Sequence, residues 1–200
     1  MKRFFDFIAS FMGLIFLSPV FIIVAVLVKL DGGPVIFKQE RVGLGGKRFQ
    51  IFKFRSMVAD NHEHIAQVTA ENDARITSLG RLLRKTKLDE LPQLLNVLKG
   101  DMSFVGPRPE VPRYVAIWPD ECRKQILSIR PGITDYATVC YHDEQAVLAR
   151  AENPEKAYVQ DILPNKLRLY GDYVRDQNIG LDIRLILTTL VRMINPKSRI

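Results

Sequence analysis

An uncharged apolar segment near the N terminus most constrains how this chain can fold. Residues 7–28 include no formal charge and are almost all apolar. A straight helix of this length measures about 33 Å at about 1.5 Å per residue, and a bilayer's hydrocarbon core is about 30 Å thick. The sequence therefore predicts attachment to a membrane through residues 1–30.

A secretory signal peptide is the first alternative for this segment, with Lys2 and Arg3 as its basic start. Its apolar region would cover only about 7–15 residues, and a small-residue cleavage site would follow. The apolar run here is longer, and it continues into a Lys-Leu-Asp-Gly-Gly-Pro string without such a site. The sequence favours a membrane segment that is retained.

The dipeptide Ser18-Pro19 lies near the middle of the apolar run. Proline lacks a backbone N–H and clashes with the preceding turn, so it kinks or breaks a helix. Residues 7–17 measure only about 16 Å, which reaches the bilayer midplane. The serine hydroxyl can bond a carbonyl that the break leaves free. The segment alone leaves two alternatives open: a kinked helix that spans the bilayer, or a re-entrant helix with both ends on one side.

The charges that flank the run favour the re-entrant form. Lys2 and Arg3 precede it, and seven basic residues follow it between positions 29 and 55. Because basic flanks stay on the cytoplasmic side, both ends are expected there. A net charge of +7 and a sequence pI near 9.5 further indicate an anionic partner, such as a membrane surface, a nucleic acid or a phosphate-rich small molecule.

Residues 31–200 are predicted to form one compact unit, and the whole chain an α+β fold that is mostly α. Two short strands at 35–37 and 49–54, joined through 43–46, predict a β-hairpin. Helices are predicted over 76–86, 88–99 and 154–177. Residues 59–74 are expected to form a loop and a helix, with solvated histidines at 62 and 64. The apolar segment 181–194 is short for spanning, which fits a core helix or an amphipathic helix at the membrane interface.

The pair Asp89-Glu90 is the strongest candidate for chemistry. Pro92 fits best in the first turn of a helix, which places Asp89 at or near the N-cap; a capping box starting at Thr86 is the alternative. The positive end of the helix favours an ionised carboxylate, and such a group among cations can attack phosphorus. Taken alone, however, the pair is also what an ordinary helix cap looks like.

Several basic residues occur on stiff or strand-like segments. Arginine offers a planar fork that suits phosphate oxygens, and neighbouring prolines hold it still. The candidates are Lys53 and Arg55 in KFRSM, Arg108 in GPRPE and Arg130 in RPG. Together with the apolar segment and the Asp89-Glu90 pair, these basic residues indicate a protein that handles a polyanion at a bilayer surface.

No G-x-S-x-G, H-E-x-x-H or C-x-x-C motif is present, which excludes the common serine hydrolases, zincins and thiol redox enzymes.

Residues 88–109, LDELPQLLNVLKGDMSFVGPRP, resemble the signature of the bacterial sugar transferases, the monotopic phosphoglycosyl transferases. The resemblance covers nearly the whole chain, including the apolar segment broken at Ser18-Pro19 and the strings at 53–57, 75–80 and 130–134. At 200 residues the chain is similar to the small members, which consist of the catalytic core without extra membrane helices. Residues 31–200 would be that catalytic domain.

The resemblance implies transfer of a sugar 1-phosphate from a UDP-sugar to polyprenyl (undecaprenyl) phosphate, with release of UMP. The reaction would take place on the cytoplasmic face of the bacterial inner membrane. Asp89 matches the nucleophile, which forms a covalent phosphosugar intermediate, and Glu90 matches its essential partner. Mg²⁺ is the implied cofactor, with Asp89 as a ligand. The expected substrate-binding residues are Lys53, Arg55, Arg75, Arg84, Arg108 and Arg130.

Membrane lipids are expected partners and nucleic acid is not, while a homodimer stays open.

One string departs from the family pattern: many members continue with Gly-x-Ala-Gln-Val where residues 135–139 are Asp-Tyr-Ala-Thr-Val. This departure bears on the identity of the sugar rather than on the reaction. Two other functions remain as alternatives. A basic binding module at the membrane would have no use for Asp89-Glu90, and an aspartate-based phosphatase or pyrophosphatase would use water as the acceptor.

Overall fold

The computed structural model of the chain describes residues 2–58, 73–140, 148, 150–151 and 153–194. Helices dominate these residues, and two small two-stranded sheets accompany them. The predicted class, α+β and mostly α, is confirmed. The expected loop and helix at 59–74, including both histidines, lie outside the described residues except for positions 73 and 74.

The apolar N-terminal segment forms two helices, α1 (Lys2–Phe16) and α2 (Ser18–Leu30), whose axes bend by 63°. Pro19 has no N–H to donate to the carbonyl of Ile15, four residues earlier. The Ser18 hydroxyl donates to that oxygen instead, at 2.7 Å. The break is present where the sequence predicts it, and the serine replaces the hydrogen bond that the proline removes.

In the described part of the chain, no single helix is both long enough and apolar enough to cross a membrane. The bent pair α1 and α2 reaches that length and apolar character only when both helices are taken together.

The predicted hairpin is confirmed by an antiparallel pair, β1 (Ile36–Val42) and β2 (Arg48–Phe54), joined by a 3-10 turn at Leu44–Gly46. The first strand is longer than expected. Its central residues are polar or charged, and they gave no strand signal in the sequence. They pair with β2 all the same, since backbone groups make the hydrogen bonds of a ladder.

Helix α3 (Ser78–Lys85) lies against the chain that follows β2. A Cβ atom at Gly80 would stand 1.9 Å from the carbonyl oxygen of Ser56, so only glycine permits this approach. Helix α4 (Gln93–Lys99) is fixed to β2 by the buried Asn96. The Asn96 side chain accepts from the Phe52 N–H at 3.0 Å and donates to the Gln50 carbonyl at 2.8 Å. The short segment between α3 and α4 is thereby held against β2.

A second, parallel pair was not anticipated: β3 (Ser103–Val105) and β4 (Gly132–Thr134). Strands of three residues are too short to show periodicity in a sequence. The two segments approach so closely that a Cβ at Gly132 would lie 2.1 Å from the Gly106 nitrogen. The predicted rigid turn at 130–132 therefore leads directly into a strand.

Most of the remaining elements surround the largest apolar core of the described residues. They are α5 (Pro112–Val115), α6 (Asp120–Ile126), α7 (Tyr136–Cys140), α8 (Pro154–Ala157), a π-helical turn (Tyr158–Ile162) and α9 (Leu163–Asp176). Side chains such as Tyr114, Trp118 and Leu167 fill the core. The last helix, α10 (Ile179–Ile194), packs in a separate cluster with Val105 and Tyr173. Helix α10 buries Leu185 on one side and leaves several large apolar side chains exposed on the other. The two C-terminal helices that the sequence predicts are confirmed.

The polar start of α1 is attached to the rest of the fold. Arg3 donates to the carbonyls of Val97 and Leu98 at the end of α4, at 2.5 and 2.8 Å. The buried Asp6 accepts from the Phe104 N–H at 3.2 Å. The N-terminal end of the apolar segment is thus part of the same folded unit as the hairpin and α4.

Candidate active site

The site is centred on a single 3-10 turn, Leu88–Glu90, between α3 and α4. Lys87 precedes the turn with φ of 58°, a left-handed conformation that is uncommon for a residue with a side chain. Such strain is typical of functional sites. The turn leaves Asp89 only 6% exposed. Its Oδ1 atom has no hydrogen-bond partner in the part of the chain that is described.

The predicted helix start is close to the observed one but not identical. The α-helix begins at Gln93, directly after Pro92, so Asp89 lies one short turn before it. The alternative start, a capping box at Thr86, is wrong. The Thr86 hydroxyl donates backwards to the carbonyl of Leu82 at 2.9 Å and so closes α3.

Glu90 is engaged by two cations. Lys53 Nζ lies 2.9 Å from Glu90 Oε1, and the Arg108 guanidinium bonds the same oxygen and approaches Oε2 at 3.5 Å. Burial alone would raise the pKa of Glu90, but Arg108 and Lys53 outweigh it and hold that pKa well below its ordinary value. Glu90 is therefore an ionised carboxylate whose oxygens are already occupied.

Asp89 has the opposite electrostatic balance. Burial and the neighbouring charge of Glu90 raise its pKa, while Lys53, Lys87 and Arg84 act against that rise. The carboxylate thus has cations around it, and no described residue bonds its Oδ1. A buried carboxylate oxygen of this kind can coordinate a metal ion or attack an electrophile.

Three of the predicted substrate-binding residues lie at this pair. Lys53 and Arg108 contact Glu90, and Arg84 acts on Asp89 through its charge. The Arg84 guanidinium approaches the Met57 sulfur at 3.9 Å, and its buried Nε finds no acceptor among the described residues. A phosphate oxygen is an acceptor that such a guanidinium suits.

Arg55 lies elsewhere, beneath the end of α2. Its guanidinium donates to the carbonyls of Val28 and Pro34 at 3.0 and 3.1 Å, and it lies 3.6 Å from the Asp31 carboxylate. These contacts tie the end of α2 to the residue that follows β2. A substrate contact for Arg55 stays a prediction, and its observed contacts are structural.

Arg75 and Arg130 are also held by protein groups. Arg75 donates from Nε and Nη2 to the two oxygens of Asp73, at 2.9 and 2.6 Å. Arg130 Nε donates to the carbonyl of Gly100, at the end of α4, at 2.9 Å. Their roles in substrate binding likewise stay predictions.

Two residues near the site were not singled out from the sequence. Gln93 is 1% exposed, and no acceptor for its Nε2 lies among the described residues. Asp135 is fully buried and accepts from the Thr138 N–H at 2.7 Å. Glu90 first, and Asp135 to a lesser extent, raise the pKa of Arg108. Asp135 opens the string that departs from the family pattern, and that departure is the signal that could have indicated it.

The residues present fit a Mg²⁺ ion that is shared with a substrate. Within the described residues, no three His, Cys, Asp or Glu side chains converge on one point. Mg²⁺ needs no such cluster, because it often takes one or two carboxylates and completes its shell with substrate phosphates and water. Asp89 Oδ1 is a carboxylate oxygen of that kind, while the Glu90 oxygens are taken by cations.

Comparison with known proteins relates nearly the whole chain to one family. The sequence model of the family described as bacterial sugar transferase matches residues 1–196. A UDP-glucose:undecaprenyl-phosphate glucose-1-phosphate transferase of Xanthomonas campestris pv. campestris is 40% identical over 96% of this chain and 38% of its own length. A UDP-N-acetylgalactosamine-undecaprenyl-phosphate N-acetylgalactosaminephosphotransferase of Aeromonas hydrophila is 36% identical over 94% of this chain and 42% of its own length.

The chain therefore spans about two fifths of the length of these two relatives. A third protein, the exopolysaccharide production protein PSS of Rhizobium leguminosarum bv. phaseoli, matches end to end. It is 38% identical over 96% of this chain and 94% of its own length. Because the family model matches residues 1–196 and the relatives are 36–40% identical, this chain belongs to the bacterial sugar transferase family.

Proposed function

We propose that this protein transfers a sugar 1-phosphate from a UDP-sugar to undecaprenyl phosphate, with release of UMP. One observation carries the proposal: Asp89 keeps a buried carboxylate oxygen without a partner among the described residues, while its neighbour Glu90 is held by Lys53 and Arg108. The names of the relatives, which specify transfer of sugar phosphates to undecaprenyl phosphate, support the same reaction.

The transfer would proceed in two displacements at phosphorus. An Asp89 oxygen forms a bond to the sugar-bearing β-phosphorus, the bond from that phosphorus to the bridging oxygen breaks, and UMP leaves with the electron pair. An oxygen of undecaprenyl phosphate then attacks the same phosphorus and releases Asp89. Covalent catalysis of this kind divides one difficult step into two easier ones.

The cations around the turn would make the first step possible. A carboxylate and a diphosphate repel each other, and the positive charges of Lys53, Arg84 and Lys87 act directly on Asp89. A Mg²⁺ ion held by Asp89 and the donor phosphates would supply further charge neutralisation when bound. The site concentrates positive charge where the substrate is negative.

The surroundings of Glu90 favour a positioning role over a role as general base. A general base works best with a pKa near the working pH. Arg108 and Lys53 overcome the effect of burial and hold the pKa of Glu90 well below its ordinary value. We infer that Glu90 fixes Lys53 and Arg108 toward the phosphates while Asp89 reacts.

The bent helix pair supports attachment to the membrane. Large apolar side chains on α1 and α2 are exposed, among them Phe4 at 71%, Phe16 at 72% and Ile22 at 65%. An exposed apolar surface of this extent marks contact with lipid or with another protein. The outer side of α10, which carries exposed Ile183 and Leu187, fits the membrane interface as well.

Contacts at both ends of the pair support the re-entrant form on the cytoplasmic face. Lys2 at the start of α1 pairs with Asp182 of α10, and Val28 near the end of α2 accepts from Arg55. A spanning segment would carry its two ends to opposite sides of the bilayer, away from a common partner. With basic residues at both ends, the positive-inside rule gives the cytoplasmic side.

Release of UMP, measured with and without undecaprenyl phosphate, tests the reaction. Purified protein in detergent or nanodiscs is given a panel of UDP-sugars and Mg²⁺, and Asp89→Asn is compared with Asp120→Asn, which alters an exposed carboxylate. We expect sustained UMP release only with the acceptor. Asp89→Asn should lose at least about a thousandfold of it, a loss typical of a removed nucleophile, and Asp120→Asn should lose little.

Other outcomes would contradict the transferase. Sustained UMP release without acceptor would identify a hydrolase that uses water. No UMP release with any donor, combined with salt-sensitive binding to anionic lipid, would favour a binding module at the membrane.

A further inference from the structure

Gln93 is a buried polar residue that the contacts of the fold do not explain. Its side chain is 1% exposed, and no group in the described parts of the chain accepts from its Nε2. Burying an amide donor without a hydrogen bond destabilises the folded state, because the donor gives up its hydrogen bonds to water. An apolar residue of similar size, such as methionine, would avoid that cost at this position.

The position of Gln93 connects it with the catalytic turn. It is the first residue of α4, three positions after Glu90 and four after Asp89. Leu91 and Pro92 between them have right-handed helical backbone angles, so the turn and α4 form one continuous helical path. Side chains three and four positions apart are neighbours on such a path.

The next turn shows which way this side of the helix faces. Glu90 reaches Lys53 of β2, and Asn96, six positions later, reaches the backbone of Phe52 on the same strand. Gln93 lies midway between these two contacts, three residues from each. The helical spacing therefore puts Gln93 on the side of α4 that faces β2, within one turn of the Asp89-Glu90 pair.

Two buried polar atoms of opposite kind, each unpaired among the described residues, thus lie within about one turn of the same helical path. Asp89 Oδ1 is a buried acceptor and Gln93 Nε2 a buried donor, and neither has a partner in the described part of the structure. They are not hydrogen-bonded to each other. A phosphoryl group would serve both, because its phosphorus is the electrophile for Asp89 and its non-bridging oxygens accept hydrogen bonds.

We propose that Gln93 is a further catalytic residue, whose side-chain amide donates to a non-bridging oxygen of the phosphorus that Asp89 attacks. This inference rests on the proposed transfer of a sugar phosphate. The amide transfers no proton and stays neutral throughout. Its hydrogen bond strengthens as negative charge builds up on the non-bridging oxygens during formation of the bond from Asp89 to phosphorus, and UMP leaves with the electrons of the broken bond.

A neutral donor has a clear use at this point of the site. Lys53 and Arg108 are bonded to Glu90, so part of their hydrogen-bonding capacity is already used. A donor that is fixed before the substrate binds loses little energy to reorganisation and stabilises the transition state more than the bound substrate. Removal of one such donor typically lowers the rate of the chemical step by about 10²–10³-fold.

Single-turnover formation of the phosphosugar adduct tests the proposal. Wild type, Gln93→Met and Gln93→Glu are mixed with saturating UDP-sugar and Mg²⁺ without acceptor, and adduct is followed by intact-protein mass spectrometry. Gln125→Met is the matched control, because it removes a glutamine amide that donates to the Gly171 carbonyl away from the turn. The rate constant reports the chemical step, and the amplitude reports the fraction of folded protein.

We expect Gln93→Met to lower the rate constant by about 10²-fold with little change in the donor concentration at half saturation. Gln93→Glu, which replaces the donor with a negative charge, should be slower still. Gln125→Met should keep the wild-type rate constant. Because the rate constant does not depend on how much protein is folded, a lower melting temperature in either Gln93 variant leaves this reading intact.

Two results would overturn the inference. Wild-type rate constants for both Gln93 variants with reduced amplitudes would show that Gln93 acts only in folding, and rate constants within about threefold of wild type at full amplitude would show that it has no role. Absence of adduct in the wild type is a different result, since it would contradict the proposed function itself.

Discussion

Asp89 and Glu90 are adjacent in the sequence, yet their carboxylates have opposite surroundings. Glu90 is bonded by Lys53 and Arg108, while Asp89 Oδ1 is buried without a partner in the described residues. Pairs of acids whose environments move their pKa values apart usually divide their roles. Here the division gives a fixed anchor for two cations and a carboxylate that is free to react.

Arg108→Lys tests whether the arginine fork matters beyond its charge. The guanidinium spans both Glu90 oxygens, a geometry that a lysine ammonium does not reproduce. We expect kcat/KM for transfer to fall by at least about tenfold. Arg48→Lys, on an exposed pair with Glu40, should change it little. A loss of less than about twofold in Arg108→Lys would show that charge alone suffices.

The pH dependence of transfer follows from the state of Asp89. Only the ionised carboxylate attacks, so kcat should fall as the pH falls through the pKa of Asp89, which burial and Glu90 raise above its ordinary 3.8. Lys87 acts against that rise, so Lys87→Gln should move the acid limb to higher pH at fixed Mg²⁺. An acid limb that does not move in Lys87→Gln would assign it to another group.

At the residue scale, the sequence predicts part of the site well. Asp89, Glu90 and Arg108 were expected together because they share one signature. Arg84 was expected because it is basic and close to that signature in sequence, and Lys53 because it belongs to the basic string KFRSM. Gln93 was not singled out, since an uncharged amide inside an apolar helix pattern gives no signal. Its burial, and the absence of an acceptor for its Nε2 in the described parts of the chain, are visible only in the structure.

At the element scale, arginines serve two purposes that a sequence does not separate. Arg3 and Arg130 donate to carbonyls at the end of α4, and Arg55 to carbonyls at and after the end of α2. Both a helix C-terminus and a phosphate present oxygen acceptors with negative charge, and a guanidinium suits either. Arg55 and Arg130 were predicted as substrate ligands; the structure shows their contacts with backbone carbonyls, and their binding of substrate stays a prediction.

Gly80→Ala tests how far the placement of α3 depends on close contact. A Cβ there would lie 1.9 Å from the Ser56 carbonyl oxygen, so α3 must move away from the segment after β2. We expect unfolding free energy to fall by about 1–3 kcal/mol and transfer activity to fall with it, since α3 carries Arg84. Chemical denaturation measures the first effect and UMP release the second.

Gly171→Ala is the matched control in a helix. The three atoms nearest to its added Cβ belong to the Gln125 side chain, the first at 3.3 Å, and a flexible side chain shifts more easily than a backbone carbonyl. Alanine also favours helix over glycine by about 1 kcal/mol. Stability should stay the same or rise. Equal losses in both variants would contradict a specific contact at Gly80.

At the scale of the whole molecule, the bent pair of α1 and α2 is joined at both of its ends to the rest of the fold. The sequence indicates the break, because Pro19 removes one donor at a known place. It does not reveal that Arg3, Asp6 and Arg55 connect the pair to α4, β3 and the hairpin. Those contacts join residues that are far apart in the chain, and no local pattern encodes them.

Labelling of an added N-terminal cysteine tests this arrangement. With Cys122 and Cys140 replaced, an impermeant thiol reagent should leave the cysteine unlabelled on intact cells and label it after lysis. Replacing Ser18 and Pro19 by Ala and Leu removes the break, and should carry part of the N termini across the bilayer. If the reagent labels the N-terminal cysteine on intact cells in the protein that retains Ser18 and Pro19, the segment spans the bilayer.

The covalent intermediate on Asp89 is the most direct test of the whole account. Wild-type protein is incubated with the UDP-sugar that supports turnover, without undecaprenyl phosphate, then quenched, digested and analysed by mass spectrometry. The account predicts a gain of one sugar phosphate on the peptide that contains Asp89, with one equivalent of UMP released, and loss of the adduct when the acceptor is added. Turnover with acceptor, but with no adduct at any time or with the adduct on another residue, would contradict it.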